Sequence, residues 1–152
     1  MLPPTPDRVP RQTADEVNRR IHEATCGSVL QAARTGRIDA RLRELDHEWD
    51  IERTLEANAS VAALIGLGLG AFVHRRFYLL SAIVAGFLLQ HATQGWCPPL
   101  PVFRRLGVRT AREIDQERSA LKALRGDFQG LPEASDQLTA AQSAQALRAA
   151  AR

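Results

Sequence analysis

Two cysteines are the residues of this chain best suited to covalent chemistry. Cys97 lies in the run Gln94-Gly95-Trp96-Cys97-Pro98-Pro99, and Cys26 lies far from it in the sequence. They form neither a CxxC pair nor a disulfide framework, so we expect two reduced thiols in a cytosolic compartment. Cys97 is the candidate reactive thiol for redox or persulfide chemistry, with Arg104 and Arg105 nearby to favour the thiolate. The alternative is a small residue that packs a helix end against a proline turn.

Four histidines could in principle bind a metal ion. Their spacing does not match that of a zinc site, and two of them fall near opposite ends of one predicted helix, where they cannot share an ion. We therefore expect solvated or interfacial imidazoles. The four are His22, His47, His74 and His91.

A row of alternating carboxylates also resembles a catalytic site on paper. Its members are spaced i, i+2 on a predicted helix, so they point in different directions and indicate a solvated face. The chain contains no nucleotide-binding glycine motif and no hydrolase motif. The sequence therefore predicts no enzyme, no cofactor and no metal. The carboxylate row is Glu44, Asp46, Glu48 and Asp50.

Charge and composition narrow the classes of partner. The 152 residues include 20 Lys and Arg and 17 Asp and Glu, for a net charge of +3. The two signs are intermixed, whereas a nucleic-acid-binding protein needs a clustered basic face, so we expect no nucleic-acid partner. A mild positive charge does suit the surface of an anionic membrane.

The apolar residues are concentrated in Val61–Leu89, which is interrupted by His74-Arg75-Arg76. The two halves, residues 57–73 and 77–93, would each span about 25 Å as helices, at the short end of the range for a membrane span. One continuous helix would bury both arginines, at about 2.5–3.5 kcal/mol each. We therefore predict an all-α fold with a two-helix transmembrane hairpin, whose turn is His74, Arg75 and Arg76.

Small residues recur at four-residue spacing in both halves of the apolar zone. In lipid, close approach of two helix backbones requires such residues, and Gly66 and Gly70 form a GxxxG pair. This spacing predicts tight helix packing and self-association of the hairpin as a homodimer or small homo-oligomer. The same glycines would also suit a buried hairpin in a soluble helical bundle. The predicted packing residues are Ala62, Gly66, Gly70, Ala82 and Gly86.

The segments before and after the apolar zone predict which elements flank the hairpin. We expect a disordered leader (1–12), a cytoplasmic amphipathic arm (13–56), the membrane hairpin (57–94), a Cys-Pro-rich connector (95–108), an amphipathic helix (109–128) and a flexible Ala-rich tail (129–152). Capping boxes at Thr13–Glu16 and Thr110–Glu113 mark two helix starts. Three prolines should hold the connector extended.

Two tryptophans and the arginine distribution predict orientation. Trp49 and Trp96 flank the apolar zone and are candidate interface anchors, although Trp49 would serve equally well between two packed helices. Arginines are more numerous on the two flanks than in the turn. By the positive-inside rule, both termini should be cytoplasmic.

The helical pair that ends in Gln94-Gly95-Trp96-Cys97-Pro98-Pro99 resembles the YgaP-like transmembrane domain, over roughly residues 57–108. The resemblance implies a bacterial inner-membrane hairpin, often self-associating, with no assigned chemistry. In some relatives this hairpin is fused to a rhodanese sulfurtransferase domain. Neither Cys26 nor Cys97 stands in the loop that such an enzyme requires, because no arginine closes the loop after Cys26 and two prolines follow Cys97.

These observations predict a small integral membrane protein with a structural or scaffolding role, in contact with lipid and with an unidentified protein as a further partner. Two alternatives stay open at this point. One is a membrane-bound thiol or persulfide carrier that uses Cys97. The other is a soluble helical bundle that binds a partner.

Overall fold

The computed structural model describes residues 4–129 and 140–151. Every regular element in these residues is helical, which confirms the predicted all-α class. The α-helices are α1 (Thr5–Arg8), α2 (Asp15–Arg34), α3 (Ile38–His47), α4 (Ile51–Phe72), α5 (Tyr78–Gln94), α6 (Leu100–Arg105), α7 (Ala111–Arg125) and α8 (Ala140–Ala151). Short 3-10 turns occupy Val9–Gln12 and Arg75–Phe77.

The chain divides into two compact units. The first comprises residues 1–24 and 48–114, and the second comprises residues 25–47 and 115–152. Two of the three boundaries, at 24/25 and 114/115, fall inside helices, so α2 and α7 each contribute to both units. The predicted hairpin and the connector that follows it belong entirely to the first unit.

The prediction of a disordered leader is wrong for the part of it that the structure describes. Residues 5–12 form α1 and a 3-10 turn, each with a proline in its first two positions, where the missing N–H costs nothing. Val9 is completely buried in the core of the first unit. The prolines that suggested an extended chain therefore begin helical turns, and one apolar side chain anchors the segment.

The amphipathic arm (13–56) is interrupted between α3 and α4. It breaks at residues 48–50, and Asp50 begins a new helix by accepting a hydrogen bond from the Arg53 backbone N–H at 2.7 Å. The first turn of α4 is therefore charged, and its remainder is the first apolar segment. The break reflects the strong preference of aspartate for the N-cap position.

The connector, which was predicted to be extended, is partly helical. Residues 100–105 form α6, whose N-cap is Pro99 and whose first turn contains Pro101. Prolines end a helix that precedes them but fit the first turn of one that follows.

The start of α7 follows the predicted capping box. The Glu113 backbone N–H donates to Thr110 Oγ1 at 3.2 Å, and the Glu113 carboxylate accepts from the Thr110 N–H at 2.7 Å. At Thr13 the prediction is not matched in this form, because its hydroxyl donates to the Val9 carbonyl at 2.8 Å. The two threonines differ because Thr13 must also close the 3-10 turn before it.

The tail was predicted to be flexible. Of its residues, 140–151 form α8, whereas 130–139 lie outside the described residues. In the preceding helix, α7, Ile114 and Leu121 are buried and Leu124 is exposed.

Candidate functional site

The helices α4 and α5 pack antiparallel through small residues in the first unit. At Gly66, a Cβ atom would lie 2.6 Å from Ser81 Oγ and 3.0 Å from the Ser81 backbone nitrogen. The Ser81 hydroxyl donates to the Ala63 carbonyl at 2.8 Å, so the one polar side chain at this contact is satisfied. No residue larger than glycine fits at position 66 without moving the neighbouring helix.

Gly70 makes a second close contact, with the ring of Tyr78. A Cβ atom there would lie 2.6 Å from Tyr78 Cδ1. The Gly66–Gly70 pair is therefore used inside the chain. Gly86, in contrast, has open space around it and Ala82 is exposed, so these two residues lie outside the contact between α4 and α5.

The connection between the helices is a short turn that a hydrogen bond to His74 stabilises. Val73 and His74 lead into the 3-10 turn, and His74 Nδ1 accepts a hydrogen bond from the Arg76 backbone N–H at 3.1 Å. The side chains of His74, Arg75 and Arg76 are all exposed. The His74 side chain therefore caps the start of the 3-10 turn that connects the two helices.

The outward surface of this helical pair is apolar over most of its length. Soluble proteins seldom expose a contiguous apolar patch of this kind unless it is a contact surface for a partner or a membrane. Phe72 is 91% exposed and Leu89 67%. The exposed large apolar residues between positions 61 and 89 are Val61, Leu64, Ile65, Leu67, Phe72, Val73, Phe77, Tyr78, Leu79, Leu80, Ile83, Phe87 and Leu89.

At the opposite end from the turn, the pair is held in a compact base. Its buried core consists of Val9, Ile51, Leu55, Cys97 and Leu100, and Trp96, Phe103 and Val108 pack against it. One predicted anchor, Trp96, is therefore partly a core residue. The other, Trp49, is 48% exposed, and the Arg53 guanidinium lies 4.3 Å from the centre of its ring.

The base contains a buried guanidinium, that of Arg104, whose exposed fraction is 0%. It donates to the Glu113 carboxylate at 2.7 and 2.8 Å and to Asn18 Oδ1 at 3.0 Å. It also contacts the Thr13 hydroxyl and the Val108 carbonyl. Burial alone would raise the pKa of the Glu113 carboxyl, but the hydrogen bonds from Arg104 and Thr110 lower it. Arg104 thus ties α2, α6 and α7 together.

Arg8 closes the end of α5. Its guanidinium donates to the carbonyl of Ala92 at 2.9 Å and to that of Thr93, which are among the last carbonyls of the helix. Gly95 follows with a φ of +76°, and a Cβ atom there would lie 2.7 Å from Arg8 Cβ. A positive charge at a helix C-terminus is favourable, so a leader residue stabilises the apolar helix.

In two residues of the base, every side-chain nitrogen or carboxylate oxygen is buried without a hydrogen-bond partner among the described residues. Both ring nitrogens of His91 and both carboxylate oxygens of Glu52 are in this condition. Burial raises the pKa of the Glu52 carboxyl, the neighbouring carboxylates of Asp50 and Glu56 raise it further, and Arg104 opposes them. The sequence did not single out Glu52, because a charged residue in the first turn of a helix is usually solvated.

The Cys97 thiol is buried in this core. Burial raises its pKa, which lowers the fraction of reactive thiolate. Arg104, which was expected to favour the thiolate, is instead bound to Glu113. The geometry therefore favours the packing role for Cys97 over the reactive one. An apolar cleft of about 290 Å³ adjoins it, and its lining includes Ala62, Phe87 and Phe103.

In the second unit, the polar side chains pair with one another. Glu117, buried, accepts from Arg41 at 2.8 Å and from Ser28 at 2.6 Å. Arg118 binds Asp46 at 3.1 Å and Arg41 binds Glu44 at 3.0 Å, so two members of the predicted carboxylate row are ion-pair partners in this unit. A third member, Glu48 of the first unit, pairs with Arg109 at 2.7 Å. No group of three or more metal-ligating side chains occurs within the part of the chain that the structure describes.

One helical stretch within Ile38–Phe72 is long and apolar enough to cross a membrane, and only 17% of its apolar window is buried. This is a criterion of length and composition alone. Among the described residues no second helix satisfies it; α5 has 17 residues, against 22 in α4.

Comparisons of the chain with protein-family models, with curated proteins and with solved structures gave no match. The resemblance to the YgaP-like domain therefore stays a prediction.

Proposed function

We propose that this chain is a small integral protein of the bacterial inner membrane, in which the apolar parts of α4 and α5 insert as a hairpin and the base remains in the cytoplasm. The observation that carries the proposal is the apolar outer surface of the pair, whose inner contact is already filled by Gly66, Gly70 and Ser81. Acyl chains cover such a surface without any further protein. Its role is structural, with no catalytic chemistry.

The dimensions support a short hairpin. The exposed apolar residues run from Val61 to Val73 and from Phe77 to Leu89, which corresponds to about 20 Å of helix on each side. A hydrocarbon layer is about 30 Å thick, so the hairpin would thin the bilayer or let the turn arginines extend to the far headgroups. Placing those arginines in the hydrocarbon would cost about 2.5–3.5 kcal/mol each.

Self-association belongs to the same proposal. Because Gly66 and Gly70 are used within the chain, we assign the contact with a second copy to the two exposed members of the predicted packing set, Ala82 and Gly86. Gly86→Leu would then weaken dimerisation in a membrane two-hybrid or cross-linking assay while leaving the hairpin folded. An oligomer that is unaffected by Gly86→Leu would remove this part of the proposal.

Fractionation combined with cysteine labelling tests insertion and topology. We expect the protein to stay in the membrane pellet after carbonate extraction. A Val73→Cys variant should react with an impermeant maleimide added outside intact spheroplasts, whereas the native exposed Cys26 should react only after permeabilisation. Release by carbonate would contradict insertion. Labelling of both positions from outside, or of neither, would contradict the topology.

A further inference from the structure

The turn between α4 and α5 presents two arginines that no other group in the described part of the chain neutralises. Arg75 and Arg76 are exposed, and neither guanidinium has an ion-pair or hydrogen-bond partner among residues 4–129 and 140–151. In the base, by contrast, Arg104, Arg109 and Arg112 are all paired with carboxylates.

No acidic residue lies near these arginines in the sequence. No aspartate or glutamate occurs between Glu56 and Glu113. The Arg76 backbone N–H donates to His74 Nδ1, and this hydrogen bond stabilises the turn. The two guanidinium groups therefore lie at the end of an acid-free hairpin, and no counterion for them occurs among the residues that the structure describes.

Apolar and aromatic side chains surround this charge. Phe72 is 91% exposed and Val73 67%, and the aromatic rings of Phe77 and Tyr78 follow the arginines directly. Aromatic rings at a boundary between charge and hydrocarbon are typical of the membrane interface. Arginine binds phosphate oxygens with two parallel N–H donors, while its stem lies along apolar surface.

We propose that the hairpin apex, defined as residues 72–78, binds the phosphate headgroup of anionic phospholipids in preference to zwitterionic ones. The occupant is a lipid of the leaflet that the apex reaches, and Arg75 and Arg76 supply the selectivity. This inference rests on the proposed membrane insertion and adds the class of lipid to it.

Lipid selectivity at the apex can be measured by fluorescence quenching. Phe72→Trp adds a reporter there, and the native chain, which has Trp49 and Trp96, supplies the background signal. The full chain is reconstituted into phosphatidylcholine–phosphatidylglycerol vesicles in which one lipid or the other carries brominated acyl chains. We expect phosphatidylglycerol to be enriched at least about fivefold beside the reporter, which is the preference that each basic residue near an anionic surface would contribute.

Two double variants of equal charge locate the effect. In the Phe72→Trp background, Arg75→Gln with Arg76→Gln should bring the enrichment to about one, since the headgroup contacts are removed. Arg34→Gln with Arg37→Gln removes the same charge from two exposed arginines of the second unit and should leave the enrichment unchanged.

Each other result has a definite meaning. Equal quenching by both lipids in the parent protein overturns the apex inference but leaves membrane insertion intact. Equal loss of enrichment in both double variants also overturns it, because overall charge would then explain the preference. Quenching by neither lipid overturns insertion itself.

Discussion

The two ends of the first unit are stabilised by opposite kinds of contact. Along the helical pair, Gly66 of α4 meets Ser81 of α5 and Gly70 meets the ring of Tyr78, and the Ser81 hydroxyl donates to the Ala63 carbonyl. At the base, the completely buried Arg104 makes hydrogen bonds to three other side chains and a carbonyl. Shape complementarity holds the part that we place in lipid, and a network of ionic and polar contacts holds the part that we place in water.

The difference follows from what the surroundings can supply. Lipid offers no hydrophobic drive between two apolar helices, so close backbone contact has to provide the attraction. Water provides that drive for the base core of Val9, Ile51, Leu55 and Leu100. The buried Arg104–Glu113 pair beside this core then contributes to the arrangement of the helices more than to their association. Substitutions in the two regions should therefore act by different mechanisms.

The largest effect is expected at the base, from Glu113→Gln. It leaves the Arg104 guanidinium buried without its carboxylate, which typically costs about 3–5 kcal/mol in the free energy of unfolding. Chemical denaturation in detergent micelles measures this loss. Glu23→Gln, which removes an exposed partner of Arg19, is the matched control and should change the free energy by less than about 0.5 kcal/mol.

The Arg104–Glu113 pair also predicts how the free energy of unfolding changes at acid pH. The pKa of Glu113 is lowered in the folded protein, so its stabilising contribution is complete above the unfolded pKa of about 4.3 and is lost as the pH falls through the folded value. The Gln variant should lack this decline. An unchanged denaturation midpoint in Glu113→Gln would mean that Arg104 finds another partner.

The next largest effect is expected in the helical pair, from Gly66→Ala. The new methyl group would meet Ser81 and force α4 and α5 apart, at a cost of about 1–3 kcal/mol. Gly86→Ala adds the same methyl group in open space and should be neutral or slightly stabilising. Unfolding of the two variants in micelles gives the comparison, and equal behaviour would show that the close contact at Gly66 contributes nothing.

A smaller effect is expected from Glu52→Gln, at the junction of the two regions. Because the folded pKa of Glu52 is raised, its carboxyl binds a proton in the folded state at a pH where the unfolded chain has released it. Wild-type stability should therefore fall as the pH rises from the unfolded pKa of about 4.3 to the folded value.

The Gln variant has no proton to lose, so it should gain about 1 kcal/mol over the wild type above that range and match it below. Stability curves of both proteins at several pH values measure this. A constant difference at every pH would assign the effect to packing and not to ionisation.

The smallest effect is expected at Cys97. The thiol fills a core position, so Cys97→Ala should cost about 1 kcal/mol and leave sulfur or redox phenotypes unaltered. In the folded protein, maleimide should modify the exposed Cys26 well before the buried Cys97. Faster modification of Cys97 would revive the thiol-carrier alternative.

Much of this architecture could be predicted from residue type and spacing. The all-helical class, the apolar segments around His74-Arg75-Arg76 and the capping box at Thr110 depend on contacts within a few residues, which the sequence displays directly. The break before Ile51 was missed because Asp50 was assigned to a solvated carboxylate face and not to an N-cap. The helix at Leu100 was missed because the prolines were expected to hold the chain extended.

The sequence by itself determined where helices form and which surface is apolar, because periodicity and charge are local properties. Only the tertiary structure decided which groups are buried: that Val9 anchors the leader, that Arg8 closes α5, that Arg104 binds Glu113 and that Cys97 lies in a core. Each of these contacts joins residues from separate elements, and such pairings depend on how the helices pack. The same arginine residue type is paired inside the base and unpaired at the apex, and nothing in its immediate neighbours along the chain distinguishes the two.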